Sequence, residues 1–228
     1  MSPGPIAVFD SGLGGLTVVK ALQQKLPNES IIYFGDTARV PYGNKSQTLI
    51  KEYSEEITKF LIGKKAKMVI VACNTASALA LSHLKQTFDI PILGVIEPGA
   101  EAARAVTKSK NIGIIGTLAT IRSEAYEKAI QKLDASIGTT AKACPLFVPL
   151  VEEGWLKGGV PTKIAETYLD ELVAEGIDTL ILGCTHYPLL IPVLEKVVGD
   201  NIQIVDSAET TARYAVQWLN DLGLLDND

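Results

Sequence analysis

The stretch "VIVACNTAS", residues 69–77, runs an apolar segment directly into Cys73, Asn74 and Thr75. In the other half of the chain, "LILGCTHYP", residues 180–188, does the same with Cys184, Thr185 and His186. Apolar runs of this length, bounded by small polar residues, read as strands buried on both faces. Two further pairs repeat in the same order at similar spacing. "IAVFDSGLGG" (6–15) resembles "IGIIGTLAT" (112–120), and "PILGVIEPG" (91–99) resembles "IQIVDSAET" (202–210), whose strands end on the carboxylates Glu97 and Asp206. The reading that explains all three pairs is two related α/β units.

Working outward, strands are expected at 6–9, 31–34, 68–72, 92–95, 111–115, 180–182 and 202–205. Helical patterns lie between them. Residues 46–62 set Leu49, Tyr53, Ile57, Phe60 and Leu61 on one stripe. Residues 161–175 begin at Pro161, repeat Ile164, Tyr168 and Leu172, and stop at Gly176. Strand–helix alternation with near-continuous apolar strands predicts mostly parallel sheets flanked by helices. The fold class is therefore α/β, with two pseudo-symmetric domains and a cleft between them. Pro98 and Gly99 interrupt the pattern, which puts the boundary near 94–99. The first domain is expected to comprise 1–96 plus 208–228, a helical segment crossing back, and the second 97–207.

Bulk properties narrow the function. The 228 residues carry a formal net charge of −5 and show no lysine- or arginine-rich block, which argues against a nucleic-acid footprint. No apolar run approaches the roughly 18 residues of a membrane helix, and "MSPGPIAVFD" has no basic segment of the signal-peptide kind. Three cysteines cannot all pair and no CxxC occurs, so a reduced, cytoplasmic protein is expected.

In open parallel sheets, ligands sit beyond the carboxyl ends of the strands. Asp10–Ser11, Asp36, Cys73–Asn74–Thr75, Thr117 and Cys184–Thr185–His186 all fall at such ends. They offer small donors and acceptors but no lysine or arginine, a set suited to a small anionic or zwitterionic ligand held at helix starts. A helix N-terminus at each turn would lower the thiol pKa and keep the thiols accessible. Asp10 and His186 are candidate helpers for the two thiols. The competing readings are a turn-capping carboxylate and a hydrogen-bonded structural histidine. Cys144 reads as a small buried hydrophobe and His83 as a solvated helix position. Two thiols facing each other across a cleft suit a two-base reaction, in which one removes a proton and the other delivers one to the opposite face. A metal site fits worse, because the spacing matches no Cys/His ligand pattern. "DSGLGG" fails as a dinucleotide loop, since Thr17 stands where the third glycine belongs and Asp10 would face the pyrophosphate.

At this point the chain resembles the glutamate racemases of the aspartate/glutamate racemase superfamily. The resemblance runs through "FDSGLGGLTV" (9–18), "YFGDTARVPYGNKS" (33–46), "VACNTAS" (71–77), "GVIEPG" (94–99), "VPLVEEG" (148–154), "LGCTHYPLL" (182–190) and "VDSAE" (205–209). It implies cofactor-independent interconversion of L- and D-glutamate, supplying D-glutamate to peptidoglycan, in a cleft between two pseudo-symmetric domains. It implies that Cys73 takes the proton from D-glutamate and Cys184 from L-glutamate. Asp10 and His186 would assist, with Glu152 as a further acid. Substrate contacts are expected from Asp10, Ser11, Tyr42, Gly43, Asn74, Thr75, Thr185 and His186, with Thr117 joining them from the strand-end pattern. No cofactor and no metal are expected. Family members form homodimers of varied geometry, and they continue beyond the position of "LNDLGLLDND", so a less covered edge of the first domain is expected here. The alternatives are a racemase of another substrate, such as aspartate or a hydantoin, and a superfamily decarboxylase or isomerase. A non-catalytic amino-acid-binding regulator, for instance of DNA gyrase, is the alternative from another class.

Overall fold

The computed structural model describes residues 4–226. Residues 1–3 and 227–228, the outer ends of the two segments expected to form the first domain, lie outside the described residues. The first half runs β1 (Ile6–Asp10), α1 (Leu16–Lys25), β2 (Ile31–Gly35), α2 (Gln47–Gly63), β3 (Met68–Val71), α3 (Asn74–Thr87), β4 (Ile92–Gly94) and α4 (Ile96–Val106). The second runs β5 (Asn111–Gly116), α5 (Leu118–Ser123), α6 (Ala125–Leu133), β6 (Gly138–Ala143), α7 (Phe147–Glu152), α8 (Gly159–Ala174), β7 (Thr179–Gly183), α9 (Ile191–Val198), β8 (Gln203–Val205) and α10 (Ala208–Asp221).

Two four-stranded sheets result, ordered β2-β1-β3-β4 and β6-β5-β7-β8, and every pairing is parallel. The second order is the first advanced by four strands, so the sequence repeat is a repeat of topology. The expected strands all form. β6 was not expected, and its composition explains why. "GTTAKA" is an edge strand with no buried residue, so it lacks the apolar run that marks the central strands.

Alternation along the strands divides each core into two faces. Ile6 and Val8 pack with Met68, Ile70, Val18 and Leu22, whereas Ala7 and Phe9 pack with Val69, Val71, Ile57 and Leu61. The helices that follow β4 and β8 exchange halves. α4 lays Ile96, Ala100 and Ala103 on Ile112, Ile114 and Ile181 of the second sheet. α10 lays Ala212, Ala215 and Leu219 on the first. The crossing of α10 to the first sheet was expected, but its extent was not. The helix stops at Asp221, Gly223 turns with φ +64°, and residues 224–226 are not helical. Pro98 and Gly99 likewise do not break the chain. They sit in the first turn of α4, where a missing N–H costs nothing.

Residues 224–226 are held by a buried ion pair. Lys67 Nζ lies 2.5 Å from Glu29 Oε2, both side chains 2% exposed, and donates to Leu224 O at 2.7 Å. Asp226 N donates to Glu29 Oε1 at 2.8 Å. Removing one member strands the other charge in a dry site, a loss of about 3–5 kcal/mol. We expect Lys67→Ala to lower the urea midpoint accordingly, with much of the loss recovered in Lys67→Met/Glu29→Gln. Equal midpoints for wild type and Lys67→Ala would show that the pair contributes nothing.

Candidate active site

The carboxyl ends of β1 and β3 face those of β5 and β7. Asp10 closes β1 and is fully buried, with both carboxylate oxygens engaged. Oδ2 accepts from Gly12 N at 3.0 Å and Gly15 N at 3.2 Å, and Oδ1 accepts from Thr185 Oγ1 of the other half at 3.1 Å. Burial pushes this carboxyl up, against the charge of His186 and the donors from Gly12, Gly15 and Thr185. The glycine loop is thus filled by the protein's own carboxylate at the start of α1, where a dinucleotide loop would present free N–H groups to phosphate. Gly14 is required by close approach, because a Cβ there would lie 2.8 Å from the Thr185 carbonyl carbon.

Cys73 follows β3 as the N-cap residue of α3, and its thiol donates to Ser11 Oγ at 3.7 Å. Cys184 follows β7, with Sγ 3.9 Å from His186 Nδ1, and His186 Nε2 lies 2.5 Å from Glu152 Oε1 at the end of α7. Thiol, imidazole and carboxylate therefore form a chain leading from the cleft to solvent. The helix starts do not lower the thiol pKa values as expected. Burial pushes Cys73 up to about 12, helped by the charge of Asp10, and it outweighs the Ala76 N–H and Ser11. Burial likewise raises Cys184 against the N–H groups of His186 and Tyr187. Desolvation wins because Cys73 is only 4% exposed and Cys184 only 7%.

Hydroxyls and amides link the halves around the thiols. Thr75 Oγ1 lies 2.9 Å from Thr117 Oγ1 and 3.2 Å from Thr120 Oγ1, and Tyr126 Oη donates to Asn74 Oδ1 at 2.6 Å. With its oxygen so held, the Asn74 amide directs its NH2 elsewhere. Tyr42 Oη donates to Asp36 Oδ2 at 2.5 Å, and Arg39 Nε reaches the same oxygen at 2.7 Å. That pins the turn whose Gly43 abuts Thr117, where a Cβ would lie 2.5 Å from the threonine Cβ.

Of the expected site residues, Ser11, Tyr42, Gly43, Cys73, Asn74, Thr75, Thr117, Cys184, Thr185 and His186 line one pocket. Asp10 stands behind it, and Glu152 stands on the far side of His186, half-exposed. Asp10 is hydrogen-bonded to glycines and to Thr185, and it raises the Cys73 pKa. Sequence reading missed Val40, Pro41 and Val148 in the lining, and Tyr126 and Thr120 behind it. Val148 lies within the "VPLVEEG" block, whereas nothing local marks Tyr126. Cys144 is a buried thiol in the second core, as expected. His83 is not simply solvated, since its Nε2 lies 2.7 Å from Glu55 Oε2. Among the described residues, no cluster of three or more His, Cys, Asp or Glu could hold a metal, and no helix is long and apolar enough to cross a membrane.

Residues 16–215 match the family model of the Asp/Glu/Hydantoin racemases. The chain is 54% identical to the glutamate racemase of Geobacter metallireducens over 220 residues, covering 96% of this chain and 82% of that one. The fold superposes on a glutamate racemase isoform from Bacillus anthracis with a TM-score of 0.96 at 42% identity, covering 100% of this chain and 86% of the other. The glutamate racemase of Francisella tularensis in complex with D-glutamate gives a TM-score of 0.93 at 38% identity, covering 100% and 85%. Two parallel sheets that bring a thiol each to a common cleft are thus accompanied by full-length similarity, and the chain belongs to the Asp/Glu/Hydantoin racemase family of amino-acid racemases.

Proposed function

We propose that this protein interconverts L- and D-glutamate without a cofactor, by proton transfer between Cys73 and Cys184. The observation that carries the reading is that one thiol from each half lines the same small pocket. D-glutamate bound in the Francisella tularensis relative supports the substrate. A family role in making D-glutamate for peptidoglycan, in the cytoplasm, goes with it. We also propose the division of the chain into 1–96 plus 208–228 and 97–207, which the reciprocal packing of α4 and α10 supports.

The chemistry follows from what each group can do. Cys73 deprotonates the α-carbon of D-glutamate while the Cys184 thiol protonates the other face, and the roles reverse for L-glutamate. A neutral thiol is already the acid form. The base form has to be generated in a buried site that disfavours it, and the substrate ammonium supplies the compensating charge. On one side, His186 can accept the Cys184 proton and pass charge toward Glu152. On the other, Ser11 contacts the Cys73 sulfur. Carbanion stabilisation falls to the backbone N–H groups at the α3 N-terminus, joined by the hydroxyls of Thr75 and Thr117 once parting of the halves frees them from each other. The pocket measures about 20 Å3, room for about one or two water molecules, so the halves must part to admit an amino acid.

Proton NMR of L-glutamate with the protein in D2O, with circular dichroism of the same sample, is expected to show loss of the α-proton signal and decay of optical activity to zero. Cys73→Ala and Cys184→Ala should each reduce racemisation by at least about 10²–10⁴-fold while folding normally. Near-normal turnover by either would sink the two-thiol mechanism. Glu152→Gln, which leaves His186 without its carboxylate, should lower kcat/KM by about tenfold or more. The loss must be equal for both enantiomers because their equilibrium constant is one, and an unchanged kcat/KM would remove Glu152 from the mechanism. In ligand-free protein, burial holds the Cys73 thiol well above its ordinary range, so little thiolate is present near neutral pH. Cys73 should therefore react with a disulfide reagent far more slowly than free cysteine and accelerate as pH rises. A rate like that of free cysteine would contradict the buried, neutral thiol.

A further inference from the structure

A larger cavity, about 420 Å3, adjoins the reaction pocket, and Gly43 forms part of both walls. One side belongs to the first half, where Asn44, Lys45 and Gln47 lead into α2. The other belongs to α5, with Arg122 and Ser123. Lys45 and Arg122 line this cavity from opposite halves, and neither side chain has an ion-pair or hydrogen-bond partner among the described residues. No carboxylate lines it, although the whole chain is acidic at −5. The reaction pocket, by contrast, contains no lysine or arginine. A substrate with two carboxylates would thus find thiols, hydroxyls and amides inside the site, and free cations only outside it.

We propose that this cavity is the antechamber of the active site, a binding station for small dicarboxylates at which Lys45 and Arg122 collect the acidic substrate before the cleft admits it. The identification of the substrate rests on the function proposed above; the preference for dicarboxylates rests on the two cations. Arg122 can take one carboxylate through two parallel N–H bonds, and Lys45 acts as a point charge for the other. A cleft lined by one sign of charge raises the local concentration and arrival rate of its counter-ion by about 10–10³-fold, and salt suppresses the effect.

The probe is glutarate, a dicarboxylate with neither ammonium nor stereocentre, measured by calorimetry at low ionic strength. Wild type should bind it about tenfold more tightly than Lys45→Gln or Arg122→Gln, with the double variant weaker still. Lys45→Arg should retain most of the affinity, whereas Arg122→Lys should retain only part of it, because an ammonium keeps the charge but not the two parallel N–H bonds. Butyrate, with a single carboxylate, should show less difference among the variants. About 0.3 M salt should narrow the gap, because screening then acts within a few ångströms. Equal glutarate affinity in wild type and the double variant would overturn the proposal, whether or not the protein racemises glutamate. In turnover, the loss should appear in KM; a loss confined to kcat would equally overturn it. Failure of the wild type to act on glutamate would defeat the proposed function and leave the glutarate comparison intact.

Discussion

The hydrogen bond from Thr185 to Asp10 joins the ends of two strands that belong to different sheets, and the geometry of the cleft depends on it. Asp10 can accept that bond because two glycine N–H groups at the start of α1 already hold its carboxylate in a place without solvent. Buried carboxylates persist only where hydrogen bonds replace the lost hydration. Here the replacement donors come from both halves, so closing the cleft and satisfying Asp10 are one event. Gly14 permits the approach by presenting no side chain to Thr185. The same logic governs the Thr75–Thr117–Thr120 cluster and the Tyr126–Asn74 bond, which spend on each other the polar capacity that a bound amino acid would use.

This closure explains the state of the thiols. With about 20 Å3 of space and little exposure, burial raises both thiols, against the backbone N–H groups that follow each of them. Burial of a charge in such a place costs more than one or two N–H groups return. In the proposed mechanism, a thiol that burial holds protonated would become a base beside the ammonium of a zwitterionic substrate. The helices α4 and α10 each leave the sheet whose last strand precedes them and give the other sheet an apolar contact.

Much of the fold was legible in the sequence because central parallel strands are buried on both faces and must be continuously apolar. "VIVA" and "LILG" satisfy that requirement, and their shared Cys-Thr neighbourhood exposed the repeat. β6 escaped because an edge strand with partly exposed residues is under no such constraint. α4 escaped because Pro98 and Gly99 are poor helix residues in general yet acceptable in a first turn, where Gly99 also packs against the ring of Tyr126. The position of the site was legible for a similar reason: in parallel sheets the strand ends are where polar residues can gather without breaking the core.

The sequence by itself determined which side chains stand at the strand ends, the order in which they recur, and the pairing of Cys73 with Cys184. These are local matters, set by apolar runs and by the turns that stop them. Tertiary structure alone decided that Asp10 bonds to Thr185, 175 residues away, and makes no hydrogen bond to the Cys73 thiol. It likewise decided that Tyr126 orients Asn74 and that Lys45 and Arg122 share a cavity outside the site. It also reversed the expected direction of the thiol pKa shifts. Desolvation is a sum over everything packed around a group, and no stretch of neighbouring residues contains that sum.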